Sequence, residues 1–361
     1  METSETRHRP QQGWNMRTLN GKRILVTGGA GFIGSHFVEH LLDTYPDVRV
    51  ITLDKLTYAG SLDNLRAVMD DPRHVFIHGD VTRREDLEKA VQGGVDWIFH
   101  FAAETHVDRS LYTPERFLHT DIWGTFTVLE VARAIGVEGM VHISTDEVYG
   151  SIPEGQTAHE YAPFLPSSPY AASKAAADLL VHAYGMTYDL PVLIVRPSNT
   201  YGPRQYPEKL IPLFILRAME NRPLPLYGDG LYVRDWLYVT DLCTAIRLIA
   251  ERGVWHTPYN VAAGDWRTNL DVARTIVDML GKSADLIHRV QDRPGHDRRY
   301  AMDAARVRQL GWRPKVPFPE GIRRTIEWWR AHADRWQKIR SDPEYHRFFA
   351  RHYGSRLDAV S

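Results

Sequence analysis

Short apolar runs alternate with helical stretches from Arg23 onward, and this alternation constrains the fold more than any other feature. The predicted strands are RILVT, VRVITLD, HVFIHGD, DWIFHFAA, MVHIS and PVLIVRP, in chain order. Continuous apolar strands separated by helices are typical of a parallel sheet that is covered on both faces. Because crossovers between parallel strands are right-handed, we expect a doubly wound α/β fold whose ligand crevice lies at the carboxyl ends of the strands.

The length of 361 residues favours a large domain with a smaller partner. Residues 1–20 are polar and aperiodic, which predicts a flexible tail. We predict a first domain at 21–198, to which segments around 233–262 return because DWLYV and PYNVA look like strands. Prolines then introduce a mixed α/β substrate-binding domain at 199–340, and the aromatic, basic residues 341–361 predict a C-terminal helical tail.

Composition and charge exclude several classes of function. The chain has 44 basic and 45 acidic side chains, so its net charge of -1 offers no field for nucleic acid or an anionic membrane. No run approaches the roughly 18 apolar residues of a membrane span, and no signal peptide is recognisable. The single cysteine, Cys243, excludes an intramolecular disulfide framework and is consistent with a cytoplasmic protein. We expect no bound metal.

Three glycines follow the first strand directly. Gly28, Gly31 and Gly34 lie in TGGAGFIG, between RILVT and a helical run. Such a turn needs positive backbone dihedrals and a close approach to a pyrophosphate, which glycine permits, and the helix amino terminus offers free N–H groups to the phosphate. Asp54 ends the second strand 20 residues after Gly34, where a carboxylate can bind both hydroxyls of the adenosine ribose. The pattern predicts a Rossmann-type dinucleotide site.

The residues around this carboxylate favour NAD over NADP. Asp54 would repel a 2′-phosphate, although Lys55 follows it and a lysine could pair with such a phosphate. Asp80 and Val81 end the third strand, where the edge of an adenine would lie. An ordinary turn at a strand end explains Asp80 equally well.

Tyr170 and Lys174 lie four residues apart in SPYAASKAAADLL and share one face of a predicted helix. A lysine beside a tyrosine lowers the pKa of the phenol, so that a phenolate could take a proton from a sugar hydroxyl while nicotinamide takes the hydride. An isolated pair with this spacing is usually a surface feature. Behind a glycine fingerprint, the pair instead predicts a redox site.

Two adjacent acids, Asp146 and Glu147, follow Thr145 and the apolar run MVHIS. Two adjacent carboxyl groups at the crevice end of a sheet cost folding free energy, so their presence there indicates a role in binding or catalysis. A neutral carboxylic acid can donate a proton to a leaving hydroxyl while its ionised neighbour abstracts a carbon-bound proton, so the pair suits an elimination. The alternative is an acidic loop that caps the next helix.

Several segments together resemble the dTDP-glucose 4,6-dehydratases, a branch of the extended short-chain dehydrogenase/reductases. They are TGGAGFIGSH, LDKLTYAGSLDNL, AAETHVDRSL, STDEVYG, YAASK, NTYGPRQYPEKLIPL, YGDGLYVRDWLYV and RPGHDRRYAMD, within residues 22–330. The resemblance implies the extended fold of that family, a nucleotide-sugar substrate and NAD kept bound as a recycled cofactor. It also implies a homodimer joined through helices around 115–135 and 168–185.

The resemblance assigns a role to each catalytic candidate. Tyr170 would deprotonate the hydroxyl on glucose carbon 4 as NAD accepts the hydride, with Lys174 supporting the ribose and the phenolate. Glu147 would then remove the proton from carbon 5 while Asp146 protonates the departing hydroxyl of carbon 6. Thr145 would hydrogen-bond the reacting hydroxyl. The implied product is a 4-keto-6-deoxy sugar.

Further positions are expected to hold the ligands. Those expected to contact NAD, besides the residues named above, are Phe32, Ile33, Leu56, Thr57, Phe101, Ala102, Ala103, Thr105, Thr120 and Thr200. Those expected to contact the sugar, diphosphate or nucleoside are Thr105, Asn199, Lys209, Leu210, Pro225, Tyr227, Arg234, Asn269, Asp292, Arg293, Pro294, Gly295 and His296. Arg234 is the expected diphosphate clamp, because a guanidinium suits bidentate phosphate recognition. An ion pair with Asp235 is the alternative.

Two departures from the family pattern leave alternatives open. Thr105 stands where serine is common, which keeps the hydroxyl. Arg204 in GPRQ replaces the more frequent GPYQ and resembles related epimerases and decarboxylases. A UDP-sugar 4-epimerase or UDP-glucuronate decarboxylase is therefore the alternative enzyme, although epimerases generally lack the Asp-Glu pair. A non-catalytic NAD-binding protein is a second alternative, against which the complete catalytic set argues.

Overall fold

The computed structural model describes residues 16–358. Its strands are β1 (Arg23–Thr27), β2 (Arg49–Asp54), β3 (His74–His78), β4 (Trp97–His100), β5 (Gly139–Ile143), β6 (Val192–Pro197), β7 (Asn199–Tyr201), β8 (Leu224–Tyr227), β9 (Val233–Tyr238), β10 (Pro258–Val261), β11 (Trp266–Thr268) and β12 (Ile287–Val290). Its helices are α1 (Phe32–Thr44), α2 (Arg84–Ala90), α3 (Val107–Ser110), α4 (Pro114–Phe117), α5 (Gly124–Ile135), α6 (Pro169–Tyr188), α7 (Leu210–Met219), α8 (Val239–Arg252), α9 (Asn269–Leu280), α10 (Ala305–Gln309), α11 (Phe318–Ala331), α12 (Ala333–Arg340), α13 (Pro343–Phe349) and α14 (Ser355–Asp358). Short 3-10 turns lie at Leu62–Leu65, Asp146–Tyr149 and Ala284–Leu286, and π-helical turns at Leu118–Trp123 and Ala350–Gly354.

Within this part of the chain, seven strands form one parallel sheet in the order β3-β2-β1-β4-β5-β6-β10. Alternate residues of β1 enter opposite cores: Ile24 and Val26 pack with α1 and α8, whereas Leu25 packs with α5 and α6. Both faces are thus covered, which explains why the strands are apolar throughout. The predicted doubly wound α/β fold is confirmed. Its strand order reverses between β1 and β4, where such folds bind ligands.

One predicted strand pairing is wrong. The segment DWLYV, in β9, does not join the main sheet but pairs with β7 and with β11. The reason is that β10, which contains PYNV, already occupies the edge beside β6. Helix α8 links the two strands and returns to the first core through Leu242 and Ile246.

A second hydrophobic core lies in the C-terminal half of the chain. Phe214 of α7, Ile276 of α9 and Trp329 of α11 pack there with β8. Tyr345 and Tyr353 belong to the same core, so the residues after α12 pack against the protein as a helical segment.

The predicted flexible tail at residues 1–20 is wrong over residues 16–20. Leu19 is fully buried in the first core, and the guanidinium of Arg17 donates to Ala250 O at 2.8 Å. Residues 1–15 and 359–361 lie outside the described part of the chain. Between residues 16 and 358, no helix has the length and apolar character needed to cross a membrane.

Candidate active site

A long pocket opens at the carboxyl ends of the central strands and continues toward α7, β8 and α9. We call the part lined by residues 28–105 and Thr120 the glycine end, and the part lined by residues 106–108 and 199–353 the cationic end. Thr145, Asp146, Glu147, Tyr170 and Lys174 lie between the two ends.

The pocket brings together most of the predicted site residues. From the first half of the chain these are Gly28, Gly31, Phe32, Ile33, Gly34, Asp54, Lys55, Thr57, Asp80, Val81, Phe101, Ala102, Ala103, Thr105 and Thr120. From the second half they are Asn199, Thr200, Lys209, Leu210, Pro225, Tyr227, Arg234, Asn269, Arg293 and His296. Among the described residues, four predicted contacts lie outside the lining: Leu56, Asp292, Pro294 and Gly295.

The glycine turn between β1 and α1 is too tightly packed for side chains. A Cβ on Gly34 would lie 2.3 Å from Gly28 O, and a Cβ on Gly28 would lie 2.6 Å from Ala102 N. Gly28 also has a φ of +69°, a left-handed conformation that glycine adopts without strain. No side chain caps α1, so its first N–H groups remain available. These features fit a dinucleotide diphosphate.

Asp54 ends β2 at the edge of the pocket. Its carboxylate oxygens accept the N–H groups of Ala30 and Leu56 at 3.0 and 2.8 Å, which orients the side chain. Lys55 forms an ion pair with Asp80 at 2.6 Å. Because Asp80 neutralises this ammonium, the charge at the glycine end favours the unphosphorylated ribose of NAD.

Local backbone geometry explains two details at this end. Leu56 has a left-handed φ of 52°, packs its side chain against the first core and does not line the pocket, and its contact with NAD stays a prediction. Asp80 accepts the N–H of Thr82 at 3.0 Å, which makes it a turn residue, and it also lines the pocket. The interpretation of Asp80 as a turn residue is confirmed, and its contact with the adenine stays a prediction.

The two acids begin the 3-10 turn that follows β5. The hydroxyl of Thr145 accepts the N–H of Glu147 at 3.3 Å and donates to Asp146 Oδ1 at 3.2 Å. Thr145 therefore caps the turn, and both acids line the pocket, so the alternative of an acidic helix cap is wrong. Asp146 is 4% exposed, whereas Glu147 is half-buried.

The surroundings separate the proton affinities of the two acids. Burial and the charge of Glu147 hold the pKa of Asp146 well above its ordinary value. Burial also raises the pKa of Glu147, but the cations Arg293, Lys209 and Arg234 oppose this effect. Glu147 is therefore the easier of the two to ionise, and Asp146 is the one that keeps its proton. The pair can act as an acid and a base at adjacent atoms.

Tyr170 and Lys174 are both buried on α6, at the edge of the pocket. The expectation that Lys174 lowers the pKa of the phenol is wrong for this arrangement. Burial and the charges of Glu147 and Asp121 raise the pKa of Tyr170 well above its ordinary value, because they disfavour the phenolate. Lys174 Nζ donates to Ile143 O at 2.7 Å, and burial lowers its pKa.

Asp121 is a buried acid that the sequence did not single out. Its carboxylate accepts the hydroxyl of Ser173 at 2.6 Å and the N–H of Glu104 at 2.8 Å. Burial raises its pKa to about 7, although the charge of Lys174 opposes the shift. Asp121 sits in the π-helical turn before α5, and a π-helical turn has no periodic signal in a single sequence.

Arg234, the expected diphosphate clamp, is buried at the cationic end. Its guanidinium donates to Asp297 O at 2.8 Å and lies 4.0 Å above the ring of Tyr300. Asp235 does not pair with it but accepts the Ser198 hydroxyl at 2.9 Å and two backbone N–H groups. The alternative of an Arg234–Asp235 ion pair is therefore wrong.

Buried ion pairs at the cationic end escaped the sequence analysis. Arg293 donates to Asp108 at 2.5 Å across 185 residues of sequence, and Arg109 donates to Glu208 at 2.7 Å across 99 residues. Burial favours a high pKa for Asp108, but Arg293 and a hydrogen bond from His352 hold it well below the ordinary value. Most of these residues lie in the quoted motifs, yet no spacing pattern connects partners so far apart.

Residues 292–296 lie beside the cationic end, where Arg293 and His296 line the pocket but Asp292, Pro294 and Gly295 do not. Asp292 accepts His296 Nδ1 at 2.7 Å and the hydroxyl of Tyr232, and Gly295 O accepts the hydroxyl of Ser167 at 3.2 Å. Gly295 has a φ of 63°, which tightens this turn. The ligand contacts expected for Asp292, Pro294 and Gly295 therefore stay predictions.

Arg204, the departure in GPRQ, does not reach the pocket. Its guanidinium donates to both carboxylate oxygens of Glu39, at 2.6 and 2.7 Å. This pair ties the loop to α1, so Arg204 supplies no argument for an epimerase. Between residues 16 and 358, no three His, Cys, Asp or Glu side chains are grouped to hold a metal ion.

The family model described as GDP-mannose 4,6 dehydratase matches residues 25–325. The chain belongs to this family. A dTDP-glucose 4,6-dehydratase of Neisseria gonorrhoeae is 47% identical over 337 residues, with 87% of this chain and 97% of that protein covered. The low-salt glycan biosynthesis protein Agl12 of Haloferax volcanii is 47% identical over 306 residues, with 85% and 98% covered.

A solved structure extends the similarity to the dehydratase fold. The dTDP-glucose 4,6-dehydratase of Streptomyces venezuelae, crystallised with NAD and dTDP, has a TM-score of 0.85 and 48% identity. The match covers 88% of this chain and 99% of that chain. The resemblance found in the sequence, the extended Rossmann fold and the dehydratase class are confirmed.

Proposed function

We propose that this chain converts dTDP-glucose to dTDP-4-keto-6-deoxyglucose, with NAD as an internally recycled hydride carrier. The observation that carries the proposal is the separation of proton affinities at Asp146 and Glu147, beside Tyr170 in one pocket. Elimination of water needs an acid and a base on neighbouring carbons, which a 4-epimerase does not need. Identities of 43–47% to dTDP-glucose 4,6-dehydratases support the choice of sugar and nucleotide.

The glycine end fits NAD. Gly28 and Gly34 leave room for the diphosphate, and Asp54 presents an oriented carboxylate to the adenosine ribose. Lys174, buried beside Tyr170, would hold the second ribose. Bound NAD would accept the hydride of carbon 4 and return it to carbon 6 as carbon 5 regains a proton, so the reaction has no net oxidation.

The residues between the two ends move the protons. The phenol oxygen of Tyr170 takes the proton of the hydroxyl on sugar carbon 4, with Thr145 hydrogen-bonded to that hydroxyl. The resulting 4-ketone acidifies the C–H bond at carbon 5. Glu147 removes that proton while Asp146 donates its own proton to the hydroxyl that leaves carbon 6 as water. Tyr170 acts here as a phenolate, which burial and the neighbouring acids disfavour in the protein without ligands, so the proposal requires compensating positive charge from Lys174 and bound NAD.

The cationic end suits the rest of a nucleotide sugar. Arg234, Arg293 and Lys209 concentrate positive charge beside the acids, where the diphosphate would lie. The side-chain oxygens of Asn199 and Asn269 are buried, line the pocket and have no hydrogen-bond partner within the described residues. Buried acceptors of this kind suit ligand hydroxyl and N–H groups.

The proposal is tested by incubating the purified protein with NAD and dTDP-glucose. Mass spectrometry should show a product lighter by one water molecule, without a stoichiometric NADH absorbance. UDP-, GDP- and CDP-glucose are the matched substrates and should react more slowly. Unchanged dTDP-glucose together with interconversion of UDP-hexoses would establish a 4-epimerase instead.

We also propose that the protein is a homodimer. Exposed apolar side chains lie on the π-helical turn before α5 and on α6: Leu118 and Trp123 are each 52% exposed, Leu179 is 60% exposed and Met186 is 66% exposed. Exposed apolar patches of this kind are typical of protein interfaces. Light scattering should give twice the chain mass, and Leu179→Glu should yield a monomer. Val254→Glu, at an exposed site elsewhere, is the matched control.

The two hydrophobic cores support the domain division. A nucleotide-binding domain at 21–198 would include α8 and β10, and a substrate-binding domain would occupy 199–340. We place the protein in the cytosol, which suits the buried free thiol of Cys243.

A further inference from the structure

The proton balance of the proposed reaction leaves two residues changed. Tyr170 gains the proton of the hydroxyl on carbon 4, and Asp146 loses its proton to the hydroxyl that leaves carbon 6 as water. Glu147 takes a proton from carbon 5, and carbon 5 later regains one, so this exchange is balanced. Each turnover therefore ends with one proton too many on Tyr170 and one too few on Asp146, and both residues must return to their starting states.

We propose that the hydroxyl of Thr145 carries this proton from Tyr170 to Asp146 after each turnover and so resets both residues for the next substrate molecule. The inference rests on the proposed function and goes beyond it, because the conversion of the sugar requires Thr145 only as a hydrogen-bond partner. Three observations carry it: the position of the Thr145 hydroxyl, the burial of the three side chains and the charges around them.

The hydroxyl of Thr145 lies between the two residues. It donates to Asp146 Oδ1 at 3.2 Å, and a second hydrogen bond joins it to the phenol of Tyr170 and opposes the rise in the pKa of that phenol. It also accepts the N–H of Glu147 at 3.3 Å, which fixes its oxygen at the start of the 3-10 turn. The Thr145 hydroxyl is therefore held where it can bond to both groups.

A hydroxyl group can accept and release a proton in one step. It has one hydrogen and two lone pairs, of which one accepts the Glu147 N–H and the other is free for Tyr170. In the proposed step the O–H bonds of Tyr170 and Thr145 break, and new O–H bonds form at Thr145 and Asp146. Tyr170 becomes a phenolate, Asp146 becomes a neutral acid and Thr145 is unchanged.

The path is shielded from solvent. Tyr170 is 8% exposed, Thr145 is 7% exposed and Asp146 is 4% exposed. Lys174, the other titratable group beside Tyr170, donates to Ile143 O at 2.7 Å and makes no hydrogen bond to Asp146 within the described residues. Because bulk water reaches these groups poorly, a hydroxyl already bonded to both is the direct route for the proton.

The charges around the path favour this direction at the end of a turnover. Burial and then the charge of Glu147 raise the pKa of Asp146, so an ionised Glu147 favours protonation of Asp146. Burial and then the charges of Glu147 and Asp121 hold the proton on Tyr170. The positive charge of Lys174 opposes this, as does that of bound NAD once the hydride is back on the sugar, so release of the Tyr170 proton is favoured at that point.

The test compares the first turnover with the steady state in the NAD-loaded, full-length protein. Rapid quenching and mass spectrometry follow the product formed from dTDP-glucose per active site. Thr145→Val should slow the first turnover, because it removes the hydrogen bond to the sugar. It should slow the steady state by about a further 10²-fold, the lower end of the contribution of a positioned proton donor, so that one product molecule per site precedes a slow phase.

Two further variants separate the reset from the contact with the sugar. Thr145→Ser keeps the hydroxyl and should restore the ratio of the two rates to the wild-type value. Ser144→Ala is the matched control, because Ser144 is adjacent and buried but its hydroxyl has no hydrogen-bond partner within the described residues. It should leave the ratio unchanged. If Thr145→Val slows the first turnover and the steady state by the same factor, the inference is overturned.

An infrared measurement without substrate tests the contact itself. In the wild-type protein, the C=O stretch of protonated Asp146, assigned by its loss in Asp146→Asn, should lie at the lowered frequency of an acid that accepts a hydroxyl hydrogen bond. The frequency of an unbonded acid would contradict the bridge, even if Thr145→Val does not fold. Absence of water loss in the wild-type protein contradicts the proposed function, whereas normal water loss with an unchanged ratio in Thr145→Val contradicts the reset alone.

Discussion

The glycine end and the cationic end of the pocket are built by different means. The glycine end is built around a closely packed backbone turn, the start of α1 and the end of β2, which lie within about thirty consecutive residues. The cationic end is made of charged side chains from distant segments, such as Asp108 with Arg293 and Arg109 with Glu208. A diphosphate can be held by local backbone geometry, whereas a particular substrate needs side chains that the tertiary fold assembles.

The difference also concerns energy. At the glycine end an added atom meets backbone that cannot move, so the cost of a change is steric. At the cationic end the charges are buried, and a change that removes one partner leaves the other without compensation. The predictions below test this contrast, beginning with the residues between the two ends.

The largest effect is expected for Glu147→Gln. Because an amide cannot accept a carbon-bound proton, water loss should slow by about 10²–10⁴-fold, the usual contribution of a general base. NADH should still form on the enzyme, since oxidation at carbon 4 precedes this step. Absorbance would record the NADH, and mass spectrometry would record the loss of water. Glu154→Gln, at an exposed site, is the control. Unimpaired dehydration would mean that the base lies elsewhere.

The rate should have a bell-shaped dependence on pH. The pKa of Glu147 is raised above 4.5, so activity is lost as pH falls through that raised value and the base becomes protonated. The pKa of Asp146 is raised well above 3.8, so activity is lost as pH rises through its value and the acid loses its proton. Beyond either limit kcat should fall about tenfold per pH unit. A rate that still rises above the upper limit would contradict the assignment of Asp146 as the acid.

Arg293→Met should cost about 3–5 kcal/mol of folding free energy, because it removes the guanidinium that pairs with the buried Asp108 and leaves only the hydrogen bonds from Tyr227 and His352. Adding Asp108→Asn should recover part of the loss, which denaturant unfolding of the single and double variants would measure. The control is Arg298→Met, whose partner Asp229 is exposed and whose ion pair is worth less than about 1 kcal/mol. Equal losses of folding free energy in Arg293→Met and Arg298→Met would show that burial of the ion pair does not determine the cost.

Gly34→Ala tests the steric rule at the glycine end. Its Cβ would lie 2.3 Å from Gly28 O, so the turn must shift, and a cost of about 1–3 kcal/mol with lower NAD content is expected. Gly354→Ala, where a Cβ meets no atom within 4 Å, should leave the folding free energy and the NAD content unchanged. NAD released on denaturation provides the measurement, and full NAD content in Gly34→Ala would show that the turn can adapt.

The smallest effect is expected for Lys55→Ala. Its ion pair with Asp80 is partly exposed, so folding free energy should change by about 0.2–1 kcal/mol. The preference for NAD over NADP should remain, because Asp54 determines it. If the variant instead lost affinity for NADP, Lys55 would be shown to reach the 2′-phosphate.

The sequence predicted the candidate site unevenly. At the glycine end, Gly28, Gly34 and Asp54 were found because strand, turn and helix follow one another along the chain. The side chain of Leu56 packs into the core there because of one left-handed residue, which no local pattern predicts. At the cationic end, Asp292, Pro294 and Gly295 do not line the pocket, and their ligand contacts stay predictions.

Other features had no signal in one sequence. The buried partners of Asp108 and Glu208 are separated by up to 185 residues, and no periodicity encodes such a pairing. The pairing of β9 depended on the tertiary structure, because β10 occupies the edge beside β6 and β9 pairs with β7 and β11 instead. Even the expected pKa of Tyr170 was wrong, since spacing on a helix reports the presence of Lys174 but not the burial that disfavours the phenolate.

By itself the sequence determined the doubly wound sheet, the dinucleotide turn and the presence of an acid pair at the end of β5. Apolar periodicity, glycine positions and adjacent acids are local properties, and local properties can be recognised in the sequence alone. Only the tertiary structure supplied the different surroundings of Asp146 and Glu147, turned Arg204 away from the pocket and brought Tyr353 into it. Burial and electrostatic surroundings depend on residues far apart in the chain, and the fold alone brings those residues together.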